Sequence, residues 1–302
     1  VSLPGQISAS YIQHIFIDRE NNIWLSNDGE GVFKIVISRL QIIEKPFIES
    51  GEGQAGYVYY SNGVAWFSTL SRKLFRRTSG KPQAFTSNLG WSPHIFYEKE
   101  NTLLAKDDHN IYKATLQPHA GIINFQKIIS LHDSGYFGKK IFVDSRGAII
   151  ASQHSGVGVW VNNKLEHHRP IESKEFIEDL LVDKNNRLWV VKRSLGIDVY
   201  SVHPGDFSNY LRPAFQIPPA QLAGSVRSCV MDKKGLIWIG TRDNGLAGYT
   251  VTKNRLEKLY HFHTGNGLSD NFVTSLACDS MNNIVAGTQS GLDLIFASPD
   301  NS

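Results

Sequence analysis

The chain has 302 residues, 41% hydrophobic and 20% charged, an ordinary globular balance that is too apolar for intrinsic disorder. With 31 basic and 28 acidic residues the formal net charge is +3, and no basic block supplies an electrostatic footprint for nucleic acid. Cys229 and Cys278 cannot make a disulfide scaffold or a structural zinc site, and no apolar run is long enough to span a membrane. The two cysteines could form one bond in an oxidising compartment, but they are read as buried free thiols.

Internal periodicity organises the chain. The alternating run Ile15-Phe16-Ile17 reaches Asp18, a turn over Asn21-Asn22 follows, and a second strand opens on Ile23-Trp24. After Gly31 a third strand runs over Val32-Phe33-Lys34-Ile35. The same frame, an acid followed six residues later by a large apolar residue, recurs as Glu98…Leu104, Asp144…Ile150, Asp183…Trp189, Asp232…Trp238 and Asp279…Val285. In Tyr60…Trp66 the acid is missing. The second anchors at 24, 66, 104, 150, 189, 238 and 285 stand 38 to 49 residues apart. Fourth strands are expected at 123–128 and 256–262.

Each unit has a physical reading. The acid caps backbone N–H groups of the first turn, and Asn-Asn, Lys-Gly or Arg-Gly supplies residues that tolerate positive φ. A second glycine turn (Gly156, Gly196, Gly245, Gly291) precedes the third strand. Four short antiparallel strands at this period read as one propeller blade. The prediction is an all-β, seven-bladed β-propeller of four-stranded antiparallel blades occupying residues 1–302 as a single domain. The last blade is short, because few residues remain after Leu292-Asp293-Leu294-Ile295-Phe296. A chain starting at Val1 with no signal-peptide pattern is expected to be a piece of a longer one.

No Trp-Asp dipeptide and no Gly-Gly doublet occurs, which counts against WD and kelch repeats. The run Asp232-Lys233-Lys234-Gly235-Leu236-Ile237-Trp238-Ile239-Gly240-Thr241, with Asn244-Gly245-Leu246 and Tyr249, closely resembles the two-component regulator propeller repeat. So does the lead-in Asn266-Gly267-Leu268-Ser269-Asp270-Asn271-Phe272-Val273-Thr274-Ser275-Leu276. The resemblance implies a non-enzymatic, periplasmic sensor domain of a membrane-bound hybrid histidine kinase, with oligosaccharide as the ligand class. A homodimer is expected in the full receptor, because signalling across a membrane usually requires two copies to move together. Kinase, β-sandwich and membrane helix would lie outside these residues. No nucleic acid, no membrane contact by this part of the chain and no cofactor are expected.

The repeated tryptophans and turn acids occupy one fixed place per blade, so they are assigned to core and capping rather than to sugar stacking or acid–base chemistry. Ligand residues are expected on the loops at one end of the blades, where strand two turns into strand three and the chain enters strand one. They are Arg72, Trp91, Asp108, His109, His154, Lys192, Arg193, Arg227, Arg242 and Asp243, with Tyr11, His94, Tyr136, Phe137, Phe176 and Phe272 nearby. Hydroxyls would meet planar donors and acceptors there, and sugar rings would meet aromatic faces. The basic members could favour an anionic ligand, and a solvated edge with Asp243 neutralising the charge is the plainer alternative. Two other functions fit the same fold. A lyase of the streptogramin-cleaving type would use His109 and His154, helped by Asp108 or Glu30. An interaction scaffold would use exposed aromatics such as Trp160 and Tyr210. His167-His168 and His261-x-His263 are expected as exposed blade-edge surface.

Overall fold

In the computed structural model, the residues described are 12–18, 22–27, 31–36, 39–44, 55–61, 64–69, 73–78, 82–90, 93–107, 109–117, 121–131, 141–144, 146–153, 156–171, 175–279 and 281–296. They form 28 strands and three single 3-10 turns, in seven sheets that follow the seven sequence repeats. The fold is a seven-bladed β-propeller, as the periodicity predicts. The chain divides into two compact units, Val1–His132 with Asp279–Met281, and Asp133–Cys278 with Asn282–Ser302.

The first unit holds three blades: β1(Ile12–Ile17) to β4(Arg39–Glu44), β5(Ala55–Ser61) to β8(Gln83–Ser87), and β9(His94–Lys99), β10(Thr102–Lys106), β11(Asn110–Thr115) and β13(Gln126–Ser130). First strands of successive blades lie side by side, β1 on β5 and β5 on β9. The core lies between blades. Trp24 and Val32 of the first pack on Val58, Ala65 and Phe67 of the second, and Trp66, Leu74 and Phe85 of the second pack on Ile95, Leu103 and Ala114 of the third.

The second unit holds β14(Ile141–Val143) to β17(Lys164–Pro170), β18(Ile177–Val182) to β21(Leu211–Ile217), β22(Val226–Met231) to β25(Arg255–Phe262), and β26(Val273–Cys278) to β28(Gly291–Ile295). Its last blade has three described strands, in line with the short repeat read from the sequence. Trp189, Val199 and Ile217 pack on Val226, Ile237 and Ala247 of the next blade, and Trp238 and Leu246 pack on Val273 and Ile284 of the one after.

The turn acids cap as expected. Asp183 Oδ1 accepts the N–H groups of Asn185 and Arg187, both at 2.9 Å, while Oδ2 accepts the Trp189 indole N–H at 3.0 Å. Asp18 with Trp24, at 2.8 Å, and Asp232 with Trp238, at 3.1 Å, repeat the arrangement. Each acid therefore holds its own turn and anchors the tryptophan of its own blade.

Where the repeat degenerates, neighbouring blades exchange these partners. The second blade has Trp66 and no acid; the third has the acid, Glu98, with Leu104 in the tryptophan place. The Trp66 indole N–H donates to Glu98 Oε2 at 2.7 Å, and Arg76 Nη2 donates to Oε1 at 3.0 Å. In the fourth blade Ile150 replaces the tryptophan, and Asp144 Oδ2 accepts the Tyr210 hydroxyl of the fifth blade at 2.5 Å. Burial and this acid push the Tyr210 phenol well above its ordinary value. Glu98→Ala leaves a fully buried indole N–H without its acceptor and is expected to destabilise the chain by about 2 kcal/mol in urea unfolding. In a double-mutant cycle with Trp66→Phe the two losses should be clearly less than additive. Simple additivity would show that the bond contributes nothing.

Three sequence expectations are corrected. The segment 123–128 is not one fourth strand: β12(Ile122–Ile123) leaves its own blade and pairs in parallel with β8 of the blade before. Only β13 completes the third blade. A reciprocal pair, Asn88 Nδ2 to the Phe125 carbonyl and Phe125 N–H to Asn88 Oδ1, at 2.9 and 2.8 Å, fixes the detour. Trp160 and Tyr210 are buried, so neither presents an aromatic face to a partner. His167, His168, His261 and His263 lie on or just beyond fourth strands but are half-buried, and His261 Nε2 bonds the Asn244 carbonyl oxygen at 2.8 Å. Neither cysteine is in a disulfide; Cys229 is buried and Cys278 half-buried.

Candidate functional site

In the second unit, the blade end where first strands begin and second strands finish is built by one device repeated three times. Each first strand carries a β-bulge after its first residue, between Ile177 and Asp179, Val226 and Ser228, and Val273 and Ser275. A bulge leaves one residue out of the ladder and re-aims its side chain. Here that residue is Glu178, Arg227 or Thr274. The residue just beyond each second strand closes the bulge: the N–H of Arg193 donates to Phe176 O, that of Arg242 to Ser225 O and that of Gln289 to Phe272 O, at 2.9 to 3.1 Å. Val226 N–H also donates to the Arg193 carbonyl at 3.3 Å, which joins two of the blades. After Arg193 the chain must turn into β20(Ile197–Val202). Gly196 does so at φ +81°, where a Cβ would lie 2.1 Å from the Ile217 carbonyl oxygen.

On this frame sit three arginines. Glu178 is almost wholly buried, and its Oε1 accepts Arg193 Nε at 2.5 Å and Arg193 Nη2 as well. Its Oε2 accepts Arg227 Nη1 at 2.9 Å. One carboxylate thus serves two guanidiniums, whose side chains stay 35% and 27% exposed. Arg227 Nε is buried without a hydrogen-bond partner. The Arg193 guanidinium stacks on Phe176, 4.4 Å from the ring centre. In the next blade the equivalent of Phe176 is Ser225, which offers no ring, so Arg242 reaches forward to Phe272 of the following blade at 5.6 Å. Stacking on a ring fixes the plane of a guanidinium while leaving its N–H edge open.

Other acids at this end are committed to fixed donors. Glu175 Oε1 accepts the N–H groups of Phe176 and Ser194, at 2.9 and 3.2 Å. Asp179 accepts from Leu180 N–H and, across to the next blade, from Cys229 N–H, both at 2.9 Å. Asp243 is exposed and forms no ion pair with Arg242 among the described residues; its carboxylate lies against Gly224.

Lys192 differs from the loop cation expected. It ends β19(Arg187–Lys192), and strand parity puts it on the face of Val190, against the preceding blade. There its ammonium is buried, 2.9 Å from Asp198 Oδ1, which also accepts Gln216 Nε2 at 3.1 Å. Burial and the neighbouring Asp198 push the Tyr200 phenol up to about 12. His109, in the first unit, is an exposed turn residue whose N–H donates to Asp107 Oδ1 at 2.9 Å. Asp107 is buried and holds that turn, accepting the Tyr112 hydroxyl at 2.6 Å. Arg72, Trp91, Asp108 and His154 lie outside the described residues, as do Tyr11, Tyr136, Phe137 and Glu30.

Sequence reasoning missed two features. Glu178 lies between Ile177 and Asp179 inside a strand, and only the bulge turns it toward the arginines. In the first unit, His94 belongs to β9 rather than a loop. Its ring stacks on Tyr57 at 4.1 Å and 7°, with His14 at 6.4 Å from His94 and the buried Lys106 ammonium 5.9 Å from the Tyr57 ring. His14, Tyr57 and His94 come from three successive first strands, a signal visible only once those strands are aligned. Among the described residues no group of three or more His, Cys, Asp or Glu side chains is placed to hold a metal ion.

No protein-family model matches the sequence, and no curated protein resembles it significantly. Solved structures share its fold. The extracellular domain of a hybrid two-component system from B. thetaiotaomicron is 19% identical at a TM-score of 0.70, over 100% of this chain and 39% of that one. A streptogramin B lyase is 13% identical at 0.71, over 96% of this chain and 95% of the lyase. YCF48 bound to D1 peptide is 12% identical at 0.70, over 99% and 96%. The chain spans about two-fifths of the length of the two-component domain it matches. The likeness to extracellular domains of two-component systems agrees with the repeat resemblance, and at these identities what is shared is the fold.

Proposed function

We propose that the chain is the ligand-sensing propeller of an extracytoplasmic two-component receptor, itself non-enzymatic, and that it recognises an oligosaccharide. The observation that carries the reading is the placing of guanidinium groups over phenyl rings at one blade end, Arg193 at 4.4 Å from the Phe176 ring centre and Arg242 at 5.6 Å from that of Phe272. A pyranose offers hydroxyls that need oriented donors and C–H faces that need apolar surface, and this blade end brings guanidinium donors together with the half-buried rings of Phe176 and Phe272. The likeness to extracellular two-component domains supports the same reading. No described helix is long and apolar enough to cross a membrane. In the receptor, ligand would bind one arrangement of a homodimer better than another, since only differential affinity can shift an equilibrium between arrangements.

The test is thermal unfolding of the chain against a panel of oligosaccharides. A true ligand at about 100 times its Kd stabilises the folded state by about 2.7 kcal/mol. Phe272→Ala should abolish that gain while unfolding in the absence of sugar stays near the parent. Saturable shifts that survive Phe272→Ala would place any sugar site elsewhere. Turnover of a sugar or a cyclic depsipeptide would make the chain an enzyme.

A further inference from the structure

Resting on the saccharide reading, we infer that the ligand is acidic and that Arg193, Arg227 and Arg242 form the seat for its carboxylate or sulfate group. Ion pairing at the cluster is incomplete. Glu178 is the one carboxylate paired with Arg193 and Arg227, so these three groups together carry one net positive charge, and both guanidiniums remain partly open to solvent. A structural ion pair needs one arginine. Burying most of a second beside the same carboxylate costs desolvation that the shared partner offsets only in part.

The inventory of donors points the same way. A guanidinium carries five N–H groups. Arg193 directs Nε and Nη2 at Glu178, and Arg227 directs Nη1 there, while Arg227 Nε has no acceptor. The remaining N–H edges are the kind of fork that an oxyanion takes bidentately. Arg242 adds a third guanidinium, exposed, held over Phe272 and without an ion pair among the described residues. Its backbone is bonded to Ser225, two residues before Arg227. Of the other acids at this end, Asp198 is paired with Lys192, while Glu175 and Asp179 keep their charge but turn oxygens to backbone N–H groups, of Phe176 and Ser194 and of Leu180 and Cys229, rather than to the arginines. Arg193 and Arg227 are held in advance by Glu178, which lowers the ordering cost of binding.

The experiment compares calorimetric affinities of the chain for uronate oligosaccharides, their methyl esters, sulfated oligosaccharides of equal length and sodium sulfate alone. Acidic sugars should bind at least about tenfold more tightly than the matched esters, and the gap should shrink as salt shortens the screening length. Arg242→Gln, at an exposed position, should erase most of the gap without moving the urea midpoint. Arg193→Lys keeps the charge but loses the fork and should weaken uronate and sulfate alike. A preference for sulfate over uronate, or the reverse, identifies which oxyanion the seat fits. Equal affinity for acids and esters overturns the acidic seat and leaves saccharide sensing standing. No binding of any sugar overturns both, and sulfate binding unaffected by Arg242→Gln would mark an adventitious ion only.

Discussion

Trp189→Ala is expected to destabilise the chain by about 3–5 kcal/mol, a loss near the upper end for one substitution. The indole is fully buried against Val191, Val199, Val226, Ile237 and Ile239, so truncation leaves a cavity shared by two blades. It also removes a donor from Asp183, whose carboxyl is held below its ordinary 3.8. Burial pushes that group up, but the Trp189 indole and the Arg187 backbone and side chain outweigh it. The folded acid being the stronger, its share of stability is present above the ordinary value and is lost as pH falls through and below 3.8. Trp189→Phe, which keeps most of the volume and loses the N–H, should cost less at neutral pH and flatten this acid limb. Urea unfolding at pH 7 and pH 3 separates the two contributions. Were the repeated tryptophans a sugar platform, Trp189→Ala would instead fold normally and lose ligand.

Glu178→Ala should destabilise by about 2–4 kcal/mol. Removing one partner of a buried ion pair costs about 3–5 kcal/mol, and here the figure is reduced because both guanidiniums are a quarter to a third exposed and water replaces part of the loss. Glu178→Gln preserves the shape and one acceptor and should fall between the parent and Glu178→Ala. Because Arg193 and Arg227 belong to adjacent blades, the loss should appear as faster hydrogen exchange at β18 and β22 together. A change within about 0.5 kcal/mol would mean that solvent already satisfies both arginines.

The repeat was legible because its parts are local. The acid, the turn and the tryptophan lie within seven residues, and left-handed Asn186, Gly235 and Asn282 fall where the turn chemistry puts them. What was illegible depends on partners far apart in sequence. Trp66 finds its acid 32 residues away, and Asp144 finds a tyrosine 66 residues on. Neither distance is written in any period. The pattern put Arg193 and Arg242 on the turns between second and third strands, and both lie just beyond the second strands. It misread Lys192 because counting loops ignores parity: one residue earlier in the same stretch, the side chain falls on the buried face. Glu178 was missed because a bulge breaks the two-residue alternation on which strand reading depends.

The use of Glu98 in place of the missing acid ties two repeats together. Repeats that begin as copies can in principle be duplicated, deleted or shuffled, since each carries its own complete set of parts. The second repeat depends on the third for its indole partner, so neither of them carries a complete set. Excising either would strand a buried N–H or a carboxylate, and inserting a fresh copy between them would separate the two. The fourth and fifth repeats are tied in the same way through Asp144 and Tyr210, and the fifth and sixth through Glu178 and Arg227, so an intact acid–tryptophan pair does not by itself make a repeat self-sufficient.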